Sequence, residues 1–172
     1  MEQETRLNEK FGLYPQRMLE RLLANEMVRS RRYPNPLSLV YIGMRFDQSP
    51  SPEMLETAQL TLTNMLHARL REVDMPGYYQ GNFLVIMPLS DVGGARSAVE
   101  RLVEQIQGIR QKHSDSDSAV PFSICAGVVS HPGGKEISPE ELLSRASSAL
   151  WEAHKQGPHT IVVFEEAERQ PE

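Results

Sequence analysis

The 172-residue sequence predicts an α/β (α+β) domain in which a mixed central sheet is flanked by helices. Three observations predict it. Apolar residues recur at helical spacing in four stretches, and short runs rich in Leu, Val and Ile stand between them. Two of the short runs meet across a tight-turn signal, Gln80-Gly81-Asn82. Pro34, Pro50, Pro88, Pro121, Pro139 and Pro158 all fall at the ends of these segments.

The first helix runs from about Pro15 to Arg32, with Leu19, Leu22, Leu23 and Met27 on one face. Pro34 and Pro36 stop it, and Leu37 to Met44 reads as a buried strand. Ser51 caps a second helix with Pro52 at its first position. Its inner face is Leu55, Ala58, Leu62, Met65 and Leu66, and it ends near Val73. Tyr78-Tyr79 and Phe83 to Met87 read as paired strands, with Gly81 and Asn82 supplying the positive φ of their turn. A third helix spans about 91–112, with Val99, Leu102, Ile106 and Ile109 inward. Pro121 to Val129 is a further buried strand.

Ser138-Pro139-Glu140-Glu141 is a capping box that opens a fourth helix, which Gly157-Pro158 stops. Thr160 to Phe164 is the last strand. The order α-β-α-β-β-α-β-α-β with right-handed crossovers leaves few topologies, of which a ferredoxin-like core is the simplest. His113 to Ser118 is too polar to pack and reads as a loop. The expected divisions are a flexible or linker N-terminus at 1–10, one domain at 11–164 and a charged tail at 165–172.

Composition narrows the function classes. Hydrophobic content of 40% and charged content of 24% are those of an ordinary globular domain. The single cysteine, Cys125, excludes an internal disulfide and any multi-cysteine metal site. A net charge of −5 argues against a nucleic-acid partner. No apolar run approaches a membrane span, and Met1-Glu2-Gln3-Glu4 is unlike a secretory signal. A cytoplasmic domain without membrane insertion is expected.

The residues resemble the GGDEF family, the domain of diguanylate cyclases, over roughly 9–164. Glu9 to Arg17 is similar to the family's opening D-x-L-T-G-L-P-N-R. Arg31-Arg32-Tyr33 through Ile42 is similar to R-R-Y-x-x-P-L-x-L-L-x-I-D. Phe83 to Pro88 resembles the strand after the signature, and Phe122 to Val128 resembles the v-S-I-G-V strand. Ser144 to Ala153 resembles the R-A-D-x-A-L-Y-x-A-K helix. The resemblance implies a nucleotidyl cyclase-like GGDEF fold.

The same resemblance implies a degenerate catalytic site. The family joins two GTP molecules through divalent metals, which need carboxylate oxygens. Ile42 stands at the position matching the first-strand carboxylate. The signature turn reads Tyr79-Gln80-Gly81-Asn82-Phe83, one residue short and without a carboxylate. The family's nucleotide-binding run after the first strand is replaced by the shorter Phe46 to Ser51, and His154 stands at its helix lysine. The expectation is therefore a non-enzyme with no catalytic residues, no metal and no cofactor.

A second motif is retained. Arg71-Glu72-Val73-Asp74 resembles the family's product-binding R-x-x-D, and five residues separate it from the signature turn. Arg101 falls where the family carries a further arginine for the same ligand. An arginine fork can bond guanine O6 and N7 or grip a phosphate, and an aspartate can accept from guanine N1 and N2. Arg71, Asp74 and Arg101 are thus the candidate cyclic di-GMP site, with a solvated surface ion pair as the rival reading of Arg71 and Asp74.

Other residues read more plainly. His131, His154 and His159 lack metal-ligand spacing and sit at element ends as exposed or capping histidines. Cys125 is a buried, inert thiol, and Trp151 packs in the core or an interface. The eight methionines fill the core, and Gly93-Gly94 loosens the start of the third helix. The function expected first is a cyclic di-GMP receptor that signals to a protein partner, with a ligand-bridged homodimer implied by the family. The alternatives are a ligand-free interaction or dimerisation scaffold and, third, a domain that still binds or turns over GTP.

Overall fold

Strand β1 (Leu37–Phe46) is the centre of a five-stranded sheet in the computed structural model, which describes residues 12–112 and 121–165. The sheet order is β2 (Met75–Tyr79), β3 (Asn82–Pro88), β1, β4 (Phe122–His131) and β5 (Ile161–Val163). β1 pairs antiparallel with β3 and with β4, and the short β5 adds to β4 in parallel. This mixed sheet is the architecture expected from the element order. The polar loop at 113–118, the N-terminal division at 1–10, the tail at 165–172 but for Glu165, and the opening match at Glu9 to Phe11 lie outside the described residues.

Among the described residues four helices cover the two faces: α1 (Gln16–Arg32), α2 (Pro52–Arg69), α3 (Val92–Lys112) and α4 (Pro139–Gln156). Val40, Ile42, Val85 and Ile124 of the sheet pack with Leu62 and Leu66 of α2 and Val99, Leu102 and Ile106 of α3. On the other face Leu39, Tyr41, Ile86 and Cys125 pack with Leu19 and Leu23 of α1 and Leu142, Ala146 and Leu150 of α4. With both faces covered, β1 is buried from Leu37 through Gly43, so its sequence reads as an apolar run rather than an alternation.

The caps follow the sequence closely. Ser51 accepts from the Met54 N–H at 3.2 Å and Ser138 from the Glu141 N–H at 3.1 Å. The Glu141 carboxylate does not return to Ser138 to complete a capping box. It pairs with Arg145 one turn along at 2.7 Å.

Three expectations are corrected. α2 ends at Arg69, four residues before Val73, because Leu70 turns extended at ψ 151° and the next residues form a separate turn. The hairpin turn places Gln80 (φ 46°) and Gly81 (φ 83°) in the left-handed region, while Asn82 is already in β3 opposite Tyr79. Trp151 is not core: its side of α4 faces solvent and the residue is 67% exposed.

One glycine is demanded by packing. A Cβ on Gly127 of β4 would run into the backbone of α4 at Ala146, Ala149 and Leu150. This close approach lets α4 lie directly on the sheet, and it fixes where the helix places its last turn.

Candidate functional site

Two clusters hold the residues singled out by sequence. The first is built on the turn after α2. The Asp74 carboxylate accepts from the Arg71 backbone N–H at 2.8 Å, and the Asp74 N–H donates to the Arg71 carbonyl at 3.0 Å. The Arg71 guanidinium closes the same pair from outside, with Nη2 2.9 Å from Asp74 Oδ1. Arg71 and Asp74 therefore meet in a turn and not on one side of a helix end.

Arg71 also reaches beyond the turn. Its Nη2 donates to the Pro88 carbonyl at 2.8 Å and to Ser90 Oγ at 2.9 Å. The arginine thus ties the end of α2 to the end of β3. Leu89 sits between those partners in the left-handed region at φ 57°. The Asp74 side chain is 1% exposed, whereas the Arg71 side chain is 48% exposed. Ser90 carried no sequence signal, because its role depends on where the chain reverses after Pro88.

Arg101 lies on the exposed side of α3 and spends its Nε on the Ser97 carbonyl one turn back, at 3.3 Å. It does not join the Arg71–Asp74 pair. The structure brings together two of the three residues predicted for the ligand and leaves the third as a separate exposed cation.

The second cluster surrounds the signature turn. Ile42 points into the layer of α2 and α3, opposite Phe83 and Ala126. The residue of β1 that faces the turn is the next one, Gly43. A Cβ there would collide with the His154 imidazole and stand 3.4 Å from Asn82 Oδ1. Counted from Arg31, the motif R-R-Y-x-x-P-L-x-L-L-x-I-D likewise sets its carboxylate position on Gly43, with Ile42 at its isoleucine.

Arg45, two residues on and therefore on the same face, donates from Nη1 to the His154 carbonyl in the last turn of α4. Burial holds the His154 imidazole below its ordinary pKa of 6.5, and the Arg45 charge adds to the effect. Tyr41 donates to the Tyr79 carbonyl at 3.0 Å and accepts from Asn82 Nδ2 at 3.4 Å. Burial raises the Tyr41 phenol above its ordinary value despite the Asn82 hydrogen bond.

A hard divalent cation needs several oxygen donors, some of them carboxylates. The side chains described at this corner are one amide, one imidazole, one guanidinium and the Tyr41 phenol, with no carboxylate among them, so their donor set does not fit magnesium. Among the described residues no three His, Cys, Asp or Glu side chains are grouped to hold a metal ion. His159, placed at an element end by sequence, has its Nδ1 buried without a partner among the described residues, and the His131 Nε2–H donates to the Lys135 carbonyl at 3.1 Å.

The sequence profile of the family described as "Diguanylate cyclase, GGDEF domain" matches residues 56–160. The chain belongs to the GGDEF family. Solved structures share its fold. The active GGEEF domain of a diguanylate cyclase from Vibrio cholerae superposes with a TM-score of 0.73 at 19% identity, over 88% of this chain and 97% of that one. The GGDEF domain of DgcB from Caulobacter crescentus, solved with c-di-GMP, gives 0.75 at 12% identity, over 88% and 91%. The diguanylate cyclase SiaD from Pseudomonas aeruginosa, solved with its activator SiaC, gives 0.73 at 21% identity, over 86% of this chain and 57% of that one. No curated protein sequence matches the chain. No helix among the described residues is long and apolar enough to cross a membrane.

Proposed function

We propose that this GGDEF domain is catalytically silent and serves as a receptor for cyclic di-GMP, which it reads through Arg71 and Arg101 and reports to a protein partner. The observation that supports the receptor is the presentation of Arg71. Four acceptors hold its guanidinium in place, and yet half of the side chain faces solvent. A fixed, half-exposed fork loses little freedom on meeting a phosphate or a guanine edge.

Asp74 takes a different role in this reading from the one the motif implies. Its carboxylate is buried and committed to Arg71, so it orients the arginine instead of accepting from guanine. Arg101, exposed and outside the clasp, is the second charge for a ligand that carries two phosphates. Catalytic silence is supported by the Gly43, Asn82 and His154 corner, whose own side chains offer no carboxylate, and by the lack, among the described residues, of any three His, Cys, Asp or Glu grouped to hold the metal that phosphoryl transfer needs. The DgcB domain solved with c-di-GMP and the SiaD cyclase solved with a protein activator are similar folds with such partners. A ligand-bridged homodimer is one form the signal can take.

The closure of the clasp favours a second reading, a ligand-free interaction scaffold. Nε and Nη2 of Arg71 reach four protein acceptors that join the turn after α2 to the end of β3, as a purely structural latch requires. Incubation with GTP and magnesium or manganese, followed by nucleotide analysis, tests the silence: no cyclic di-GMP is expected, and steady production overturns it. Calorimetric titration with cyclic di-GMP separates receptor from scaffold.

A further inference from the structure

The geometry points to a separate binding site for a small organic cation, an alkylammonium ion, in the cleft between the β2–β3 hairpin and the exposed side of α4. The cleft encloses about 560 Å³ and is lined by Tyr41, Tyr79, Glu140, Ser147 and Trp151 among others. That volume is in the range of small-molecule sites, roughly 300–1,000 Å³. It shares no residue with the Arg71 cluster, so it stands or falls apart from the cyclic di-GMP reading.

Charge and aromatic content select the ligand. Among the described residues no lysine or arginine lines the cleft, and Glu140 stands on its wall. Glu20 approaches from α1, where its carboxylate accepts from Gln16 Nε2 at 3.2 Å and Gln16 in turn accepts from the Gln80 N–H at 3.3 Å. Burial raises the Tyr79 phenol, and the Glu20 and Glu140 carboxylates and Tyr41 raise it further, so both acidic groups act on the same spot. A phosphate or nucleotide would meet the Glu140 carboxylate on the wall, and the Lys155 ammonium beside Trp151 is already paired with Glu152 at 3.6 Å.

An ammonium ion meets the opposite conditions. Two carboxylates attract it, and the faces of Trp151 and Tyr79 offer the negative quadrupole that binds cations. Trp151 already takes this role within the chain, with the Lys155 ammonium 5.8 Å from its ring centroid. Tyr79 is set edge-on against Tyr41 at 6.3 Å, which keeps its ring from turning away. Ser147 and its neighbours supply hydroxyl acceptors, and Leu84 and Leu143 receive the alkyl body.

Trp151 is the one tryptophan of the chain, so its fluorescence reports the cleft directly. The full chain is titrated at constant ionic strength with putrescine, with N-acetyl-lysine methylamide and with 1,4-butanediol, the uncharged counterpart of putrescine. A saturable change in emission is expected with the two ammonium probes and none with the diol. Tighter binding of putrescine marks a free amine as the ligand, and tighter binding of the lysine derivative marks a side chain of a partner. Glu140→Gln is expected to weaken binding by about threefold or more. Ser147→Arg, at an exposed helix position, is expected to abolish it by tethering a guanidinium in the cleft. No saturable response to either ammonium probe, an equal response to the diol, or unchanged affinity in Glu140→Gln overturns the site.

Discussion

Asp74 holds Arg71 at two points, taking the backbone N–H at 2.8 Å and the guanidinium at 2.9 Å with its two oxygens. The carboxylate is buried, and among the described residues its hydrogen bonds come from Arg71. Through that arginine the turn after α2 is tied to Pro88 and Ser90 beyond β3. The pair thus lives on two links at once: it shapes the local chain, and it sets the pose of an arginine that is half exposed ahead of the hairpin.

Removing the arginine therefore costs stability as well as any ligand contact. Arg71→Ala leaves the buried Asp74 carboxylate with a single backbone donor. The expected loss is about 2 kcal/mol, reduced from that of a fully buried pair because Arg71 is half exposed. Urea denaturation checks it, with a melting point lower by about 4–8 °C. A loss under about 0.5 kcal/mol would mark the clasp as ornamental.

Gly127→Ala tests how closely α4 sits on the sheet. The added methyl meets helix backbone at Ala146 and Leu150, which cannot swing aside as a side chain can. A destabilisation of about 3 kcal/mol or more is expected, with weakened packing of Trp151's helix visible in near-ultraviolet dichroism.

The hairpin turn is strained at one residue. Gln80 adopts φ 46° in a position that glycine or asparagine fills more cheaply. Gln80→Gly is expected to raise stability by about 0.5–1 kcal/mol, and Gly81→Ala to lower it by a similar amount because φ there is 83°. Thermal melts of the two variants should move in opposite directions.

The two depressed histidines predict a pH dependence. Burial lowers the pKa of His154, with Arg45 adding to it, and burial lowers that of His159, with Arg110 adding to it. Below the ordinary value of 6.5 the unfolded chain binds protons that the folded one refuses, so stability is present above that pH and falls as pH drops below it. His154→Gln with His159→Gln should flatten the unfolding free energy between about pH 6.5 and 5. Gly43→Ala pushes the His154 imidazole outward, so its proton titration, followed by NMR, should move up toward the ordinary value.

Much of the fold was legible because local signals agreed with one another. Ser51-Pro52 and Ser138-Pro139 mark two helix starts, and both serines cap as expected. The end of α2 was not legible. Leu70 and Val73 continue the apolar spacing of Leu62 and Leu66, and only the capture of the Arg71 N–H by Asp74 shows that the helix has already stopped. In β1 the expectation set Ile42 at the site, but the motif counted from Arg31 puts its isoleucine on Ile42 and its carboxylate on Gly43, and the pleat turns these two residues to opposite faces. The sequence named Arg71 and Asp74 but could not show which of them is buried. Tyr79 and Trp151 meet across one cleft from distant parts of the chain, which no spacing rule reveals.

The central claim is a receptor without catalysis, and the most direct test is calorimetric titration of the full chain with cyclic di-GMP. Arg101→Ala is the informative variant, because Arg101 lies outside the clasp and its loss should leave the melting point unchanged. The account predicts saturable binding to the wild-type chain, weakened by about tenfold in Arg101→Ala with the fold intact. No binding by the folded wild-type chain, or binding indifferent to Arg101 and Arg71 alike, would contradict it and leave the domain as a scaffold.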